Sequence, residues 1–236
     1  MALSRSLLLP IGLTTFLLAV DAAVSLGLVS SMVAFLHHYG RGPCPVANPT
    51  GSYFLLAGEP ANLVTNQGHT TNAAGGTALV LVAFGGMIAL WLEKRSRKKR
   101  DSSSPVFYLW ALIVFFSFLL TLVALIYTFV ETSKTGGQSI DLAVAETNPA
   151  PVKYPDHRWT PENWYAAVLE LPLVSDNNRR IISGNLTIMR AWRWNIIPLF
   201  VLGFVLLVLV ALEVLRVRRR NTQRIEVVDV PAWPLK

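Results

Sequence analysis

The segment 106–130, VFYLWALIVFFSFLLTLVALIYTFV, decides the fold class, because none of its 25 residues is charged. A helix needs about 20 consecutive apolar residues to cross the hydrocarbon core of a bilayer. Three further runs reach that length with at most one charge each: 7–36, 73–92 and 194–215. The sequence therefore predicts an all-α membrane protein built as a bundle of four transmembrane helices.

The composition excludes an ordinary soluble domain. Of the 236 residues, 53% are hydrophobic and 15% are charged, whereas a soluble domain has about 25% charged residues. Cys44 is the single cysteine, which excludes an internal disulfide framework and a zinc site made of cysteines alone.

Lysine and arginine residues are concentrated in two of the segments that connect or follow the spans. The segment 93–105 contains six of them, and 216–236 contains five arginines and a lysine, whereas 37–72 and 131–193 carry no net charge. Short basic segments stay in the cytoplasm. The sequence thus predicts cytoplasmic termini, a basic cytoplasmic loop at 93–105, a small first outer loop at 37–72 and a larger second one at 131–193.

The N-terminus has an alternative interpretation as a signal peptide, since Arg5 precedes an apolar run with small residues near Ala22. The run continues to residue 36, and cleavage would leave about 14 apolar residues, too few to span. We expect an uncleaved first span in a multi-pass protein of the plasma membrane or an endomembrane.

The first span has one face of small residues and a second face of polar residues. Small residues recur at every fourth position, which allows another backbone to approach closely: Ala19, Ala23, Gly27 and Ser31. A second face contains Thr14, Asp21 and Ser25. This pattern predicts neighbours on both sides of the helix.

The second outer loop contains one predicted helix, near 161–171. Thr160 is suited to the N-cap and Pro161 to the first helical position. Trp164 and Val168 follow on one face, and Pro172 ends the run. We expect this short amphipathic helix to lie on the first loop or on the membrane surface.

A glycosylation sequon lies on the predicted outer side, at Asn185-Leu186-Thr187. Asn185 is therefore the candidate site of N-glycosylation, although it is close to the fourth span.

Asp21 is the candidate residue for chemistry within the membrane. A carboxylate at the centre of a span costs about 2.5–3.5 kcal/mol on insertion scales, so it is expected to face the bundle interior. It is interpreted either as a proton-transfer, substrate-binding or partner-pairing residue, or as a neutral acid that is hydrogen-bonded to Ser25 or to another helix. Thr14 and Thr121 are the other polar groups available for a site.

No metal or cofactor site is predicted. His37 and His38 are adjacent and diverge by about 100° on a helix, and the spacing of His69 and His157 fits no metal signature. The sequence also lacks the nucleophile-elbow, P-loop, dinucleotide-binding and zinc-protease motifs.

The basic segments are predicted to contact anionic lipid, at about 1 kcal/mol per residue. The residues concerned are Lys94, Arg95, Arg97, Lys98, Lys99, Arg100, Arg218, Arg219 and Arg220. Because these charges adjoin the bilayer, we do not expect nucleic acid as a partner.

The stretch 157–198 resembles uncharacterised four-span integral membrane proteins of filamentous fungi. The resemblance rests on two runs, WTPENWYAAVLELPL from residue 159 and MRAWRWNIIPLF from residue 189. The stretch covers under a fifth of the chain, and the resemblance implies no activity. In layout the chain also resembles tetraspanins and claudin-like proteins. Their cysteine motifs are absent, so their partner-binding residues are not carried over.

Two classes of function are consistent with these features. The first is a non-enzymatic scaffold or accessory subunit that binds other membrane proteins, or itself, through its bundle and outer loops. The second is a small membrane enzyme or transporter that acts on a lipophilic substrate, with Asp21 as the acid or proton carrier. The small-residue stripe and the lack of converging polar groups favour the scaffold.

Overall fold

The computed structural model describes residues 6–100 and 103–228, with the exception of the side chains of residues 99, 100 and 221–228. Four helical stretches within these ranges are long and apolar enough to cross a membrane, which confirms the predicted fold class. They are α1 (Leu8–His38), α2 (Asn66–Thr77) continued through a π-helical segment (Ala78–Phe84) into α3 (Gly85–Arg100), α4 (Pro105–Lys134) and α7 (Asp176–Val228).

The four stretches pack side by side around a shared apolar core. Its fully buried residues come from every stretch: Ile11, Leu18, Ala22, Ala78, Val82, Phe107, Trp110, Val114, Leu199, Leu206 and Val210. The opposite faces expose large apolar side chains such as Leu9, Phe116 and Leu212. In a bilayer these outward side chains contact lipid, so the pattern suits a bundle surrounded by hydrocarbon.

The π-helical segment is joined to α4 through Trp110. The indole N–H of Trp110 donates to the carbonyl oxygen of Val82 at 2.9 Å. A Cβ atom on Gly86 would lie 2.9 Å from the Trp110 ring, whereas one on Gly76 would have no heavy atom within 4 Å. Thus Gly86, which has no Cβ atom, makes room for the indole beside the carbonyl oxygen of Val82.

The two loops that the sequence places on the outer side fold together at one end of the bundle. We call the unit formed by residues 39–64, 135–175 and the first half of α7 the loop domain. An antiparallel hairpin of β1 (Cys44–Ala47) and β2 (Tyr53–Leu56) lies in it, beside α5 (Leu142–Thr147) and α6 (Pro161–Glu170).

Backbone hydrogen bonds tie the first loop to the second. Val46 forms an antiparallel bridge with Leu173, and Leu63 a parallel one with Trp159. The core between them is largely aromatic. The ring centroids of Trp159 and Trp164 are 5.2 Å apart, and those of Tyr154 and Trp164 are 5.8 Å apart. Two chain segments that are far apart in sequence therefore share a single core.

Helix α6 begins where the sequence predicts a helix start. The Thr160 side chain accepts from the backbone N–H of Asn163 at 3.4 Å, and Pro161 occupies the first turn. The helix contacts the first loop, where Trp164 Nε1 donates to the carbonyl oxygen of Gly58 at 2.8 Å.

The long helices extend well past the apolar runs that predict them. Residues 66–72, expected in the first loop, form the first turns of α2, and α7 begins 18 residues before the predicted span at 194–215. With 53 residues, α7 is about 80 Å long. Hydropathy marks only the apolar part of a helix, whereas packing supports its polar ends: Thr71 accepts from the indole of Trp192 at 3.2 Å. The predicted tail at 216–236 is helical to Val228, and its last residues lie outside the described ranges.

Candidate functional site

Asp21 lies in the middle of α1, and its Oδ2 atom is buried without a hydrogen-bond partner. Asn195 of α7 has the complementary feature, since its Nδ2 atom is also buried without a partner. The sequence analysis singled out Asp21 but not Asn195. Asn195 follows Trp192 and Trp194 at the predicted start of the fourth span, where a polar residue is common and does not indicate a functional site.

The register of α1 against α7 places these two side chains at similar heights. The backbone N–H of Leu7 donates to Glu213 at 3.2 Å, which fixes the two helices where α1 begins. At 1.5 Å per residue, Asp21 is about 21 Å from Leu7 along α1 and Asn195 about 27 Å from Glu213 along α7. An unfilled acceptor and an unfilled donor are therefore about one helical turn apart in height.

The other polar candidates do not join Asp21 in one site. Thr121 bonds within its own helix, to the carbonyl oxygen of Ser117 at 2.9 Å. It lines a void of about 10 Å³ at the bundle centre, which Asp21 does not line. Thr14 bonds to the carbonyl oxygen of Pro10 at 2.9 Å, and Ser25 is buried.

The predicted lipid-contact residues divide into two groups. Lys94, Arg95 and Lys98 are exposed, as are the C-terminal arginines at 218–220. Arg97 instead turns into the bundle, where it pairs with two buried carboxylates. The side chains of Lys99 and Arg100 lie outside the described residues.

Arg97 is the centre of a polar cluster at the basic end of the bundle. Its Nε lies 2.7 Å from Glu93 Oε1, and its second nitrogen, Nη1, lies 2.5 Å from Glu213 Oε1. Both carboxylate residues are 0% exposed. Arg216 lies 3.6 Å from Glu213, so the two buried negative charges are matched by two arginines.

Further hydrogen bonds connect this cluster to all four membrane-spanning stretches. Glu93 accepts from the hydroxyl of Ser103 and the backbone N–H of Ser104, both at 2.7 Å, just before α4 begins. Glu213 of α7 accepts from Leu7 at the start of α1. The cluster thus joins the ends of four helices. One signal in the sequence was available: Glu93 and Glu213 each end an apolar run close to arginine.

Among the described residues, no three His, Cys, Asp or Glu side chains are placed to hold a metal ion. His37 donates from Nδ1 to the carbonyl oxygen of Val33 at 2.9 Å. His37, His38 and His69 line one groove between α1 and α2.

Cys44 is buried in the loop domain beside a cavity of about 180 Å³. Burial raises the pKa of its thiol, which an Asn178 amide at 3.9 Å only partly offsets. Burial likewise raises the pKa of Tyr165, whose hydroxyl donates to the carbonyl oxygen of Gly58. The cavity therefore has neutral walls, with a thiol that burial disfavours as a nucleophile.

Asn185 is part of α7, where its Nδ2 donates to the carbonyl oxygen of Ile181 at 2.9 Å. Its side chain is half-buried. The candidate glycosylation site is thus a helical residue with its amide nitrogen already hydrogen-bonded.

The small-residue stripe of α1 faces away from the rest of the chain. Ala23, Gly27 and Ser31 are exposed, and Ala19 is half-buried. A Cβ atom on Gly27 would meet no heavy atom within 4 Å. Comparisons with protein-family models, curated proteins and solved structures give no match for this chain.

Proposed function

We propose that this four-span membrane protein is a non-enzymatic scaffold or accessory subunit that binds other membrane proteins. The observation that carries the proposal is the outward face of α1, where Ala23, Gly27 and Ser31 are open. Small residues let two helices approach closely in a membrane, where dispersion forces and not hydrophobicity drive association. Among the residues that the structure describes, none beyond the adjoining turns of α1 lies within 4 Å of a Cβ atom placed on Gly27, so this position is open to a second helix.

The loop domain supplies a second surface for the same partner. Tyr39 and Tyr53 are exposed on it, together with Leu55 and Val174. Exposed aromatic and aliphatic side chains on a well-packed scaffold are the typical anchors of protein interfaces. A partner that spans the membrane beside α1 and has an outer domain would contact both surfaces.

The proposed orientation has both termini in the cytoplasm and the loop domain outside, in the plasma membrane or an endomembrane. Exposed Lys94, Arg95 and Lys98 at the basic end support it through the positive-inside rule. In this orientation the same side chains contact the anionic cytoplasmic leaflet.

Gly27→Leu is expected to reduce partner recovery at least tenfold without affecting the fold. Leucine fills the open stripe and separates the two helix backbones, while it contacts nothing in its own chain. The measurement is purification in gentle detergent, followed by quantitative mass spectrometry of the proteins that remain bound. Gly76→Leu is the matched control, since it makes the same change at a second open position in a membrane helix. Equal recovery from both variants would argue against the stripe as the interface.

A second candidate function is a small enzyme or transporter for a lipophilic substrate, which acts through Asp21. The unfilled acceptor of Asp21 and the unfilled donor of Asn195, about one helical turn apart in height, favour it, because buried polar atoms need hydrogen-bond partners.

For this candidate, Asp21→Asn is expected to abolish retention of a small lipophilic molecule that wild-type protein keeps through purification. The asparagine has nearly the same size, so the helices still pack, but the acceptor charge is lost. Mass spectrometry of the extracted small molecules checks this, with size-exclusion chromatography as the test of folding. Loss of a partner protein in place of a small molecule would assign Asp21 to assembly.

A further inference from the structure

A groove of about 760 Å³ lies between the end of α1 and the start of α2. Its volume falls within the about 300–1,000 Å³ that small-molecule sites occupy. One wall is apolar and comes from α1, with Met32 and Val33; the other is polar and comes from α2, with Gln67 and Asn72.

The position of the groove makes it accessible from the bilayer. Val33 is exposed on the apolar part of α1, and His37 and His38 follow one turn later, where α1 ends. The groove therefore crosses from the hydrocarbon region to the polar boundary of the membrane. An occupant that enters from the lipid would be amphiphilic, with its polar group beside α2.

The polar wall contains a hydrogen-bond acceptor, the side-chain oxygen of Gln67, that receives no hydrogen bond. Gln67 is 2% exposed, and its Nε2 donates to the carbonyl oxygen of Val64 at 2.9 Å. Since a carbonyl oxygen only accepts, the amide orientation is fixed, and Oε1 is left buried with no partner. His37 also lines the groove, and because its Nδ1–H donates to the carbonyl oxygen of Val33, Nε2 is the ring nitrogen left to contact an occupant.

No lysine or arginine is among the described residues that line the groove. A phosphate group would therefore find no cationic partner there, in contrast to the basic end of the bundle. The chemistry of the two walls suits an uncharged lipid with a hydrogen-bond donor.

We propose that this groove binds a neutral lipid that carries a free hydroxyl group, a sterol or a diacylglycerol. The apolar body lies against Met32 and Val33. After a small rotation of the unbranched Gln67 side chain, the hydroxyl donates to Oε1. The site is independent of the α1 stripe, so its test is separate from that of the scaffold function.

The test uses the full chain in phosphatidylcholine nanodiscs with two photoreactive probes, a diazirine sterol and a diazirine diacylglycerol. Each is compared with its own methyl ether, which retains the apolar body but has no donor. We expect one of the two hydroxyl probes to label peptides within 29–38 or 65–72 about five- to tenfold more than its ether, the change expected from one hydrogen bond. The probe that labels identifies the lipid class.

Gln67→Met is expected to lower the same labelling about tenfold, because methionine has a similar shape but no comparable acceptor. Gln138→Met is the matched control, since Gln138 Oε1 is also buried without a partner but lies outside the groove. If Gln67→Met does not fold, Gly68→Leu is used to fill the groove instead, because a Cβ atom on Gly68 lies 3.6 Å from the Cε atom of Met32. Gly76→Leu is the control for this second variant. Equal labelling by a probe and its ether, or by wild type and groove variants, would overturn the proposal.

Discussion

Arg97→Met is expected to destabilise the protein by about 3–5 kcal/mol, the usual effect of removing one partner from a buried ion pair. Without the guanidinium, Glu93 and Glu213 lose their shared countercharge while they remain 0% exposed. For a chain of this size the change corresponds to a drop in Tm of about 6–20 °C. Thermal unfolding in detergent, followed by tryptophan fluorescence, measures it.

Arg95→Met is the matched control, because it makes the same substitution two residues earlier in α3. Arg95 is exposed and contacts the ring of Trp91 at 5.5 Å, so we expect a change in Tm of at most about 2 °C. A triple variant, Glu93→Gln with Arg97→Met and Glu213→Gln, is expected to recover much of the loss, since it removes the buried charges together. A small effect of Arg97→Met alone would mean that the carboxylates are not charged or not buried in the membrane.

Trp164→Ala is expected to unfold the loop domain selectively, at a cost of about 3–5 kcal/mol. The indole is 0% exposed, packs on Trp159, and donates to the carbonyl oxygen of Gly58, so its removal leaves a large cavity and removes one of the two hydrogen bonds that this oxygen accepts. The core of the four-helix bundle is separate from that of the loop domain and is expected to persist. Hydrogen exchange measured peptide by peptide should show lost protection at 44–63 and retained protection at 106–130.

Trp91→Ala provides the comparison, since Trp91 is exposed at the basic end of the bundle. It removes the same side chain without opening a core, and exchange in the loop domain should stay at the wild-type rate. Uniform loss of protection over the whole chain in Trp164→Ala would show that the loop domain and the bundle unfold as one unit.

The candidate sites were accessible from the sequence only in part. Asp21 stood out because a charge within an apolar run is conspicuous, and the α1 stripe because its period is regular. Asn195 and Gln67 did not stand out, because polar residues of these types are common in any sequence. What distinguishes them is a buried side-chain atom without a hydrogen-bond partner, which only the folded structure shows. Arg97 was predicted to contact lipid with its neighbours, and its distinct role depends on two carboxylates from different helices.

The outer loops show the same limit. Thr160 with Pro161 predicted the start of α6. The hairpin, which forms within the first loop, was not predicted. The aromatic core was not predicted either, because it needs contacts between the first and second loops, such as that of Trp164 with Gly58.

The sequence by itself determined the four spans and the distribution of basic charge along the chain. Both follow from transfer free energies that act residue by residue, so a window of about 20 residues contains the information. Only the tertiary structure decided where the helices end, that Arg97 forms ion pairs with both Glu93 and Glu213, and that the α1 stripe is left open. These features depend on which polar atoms find partners among distant residues, because a buried group is stable only when another part of the chain satisfies it.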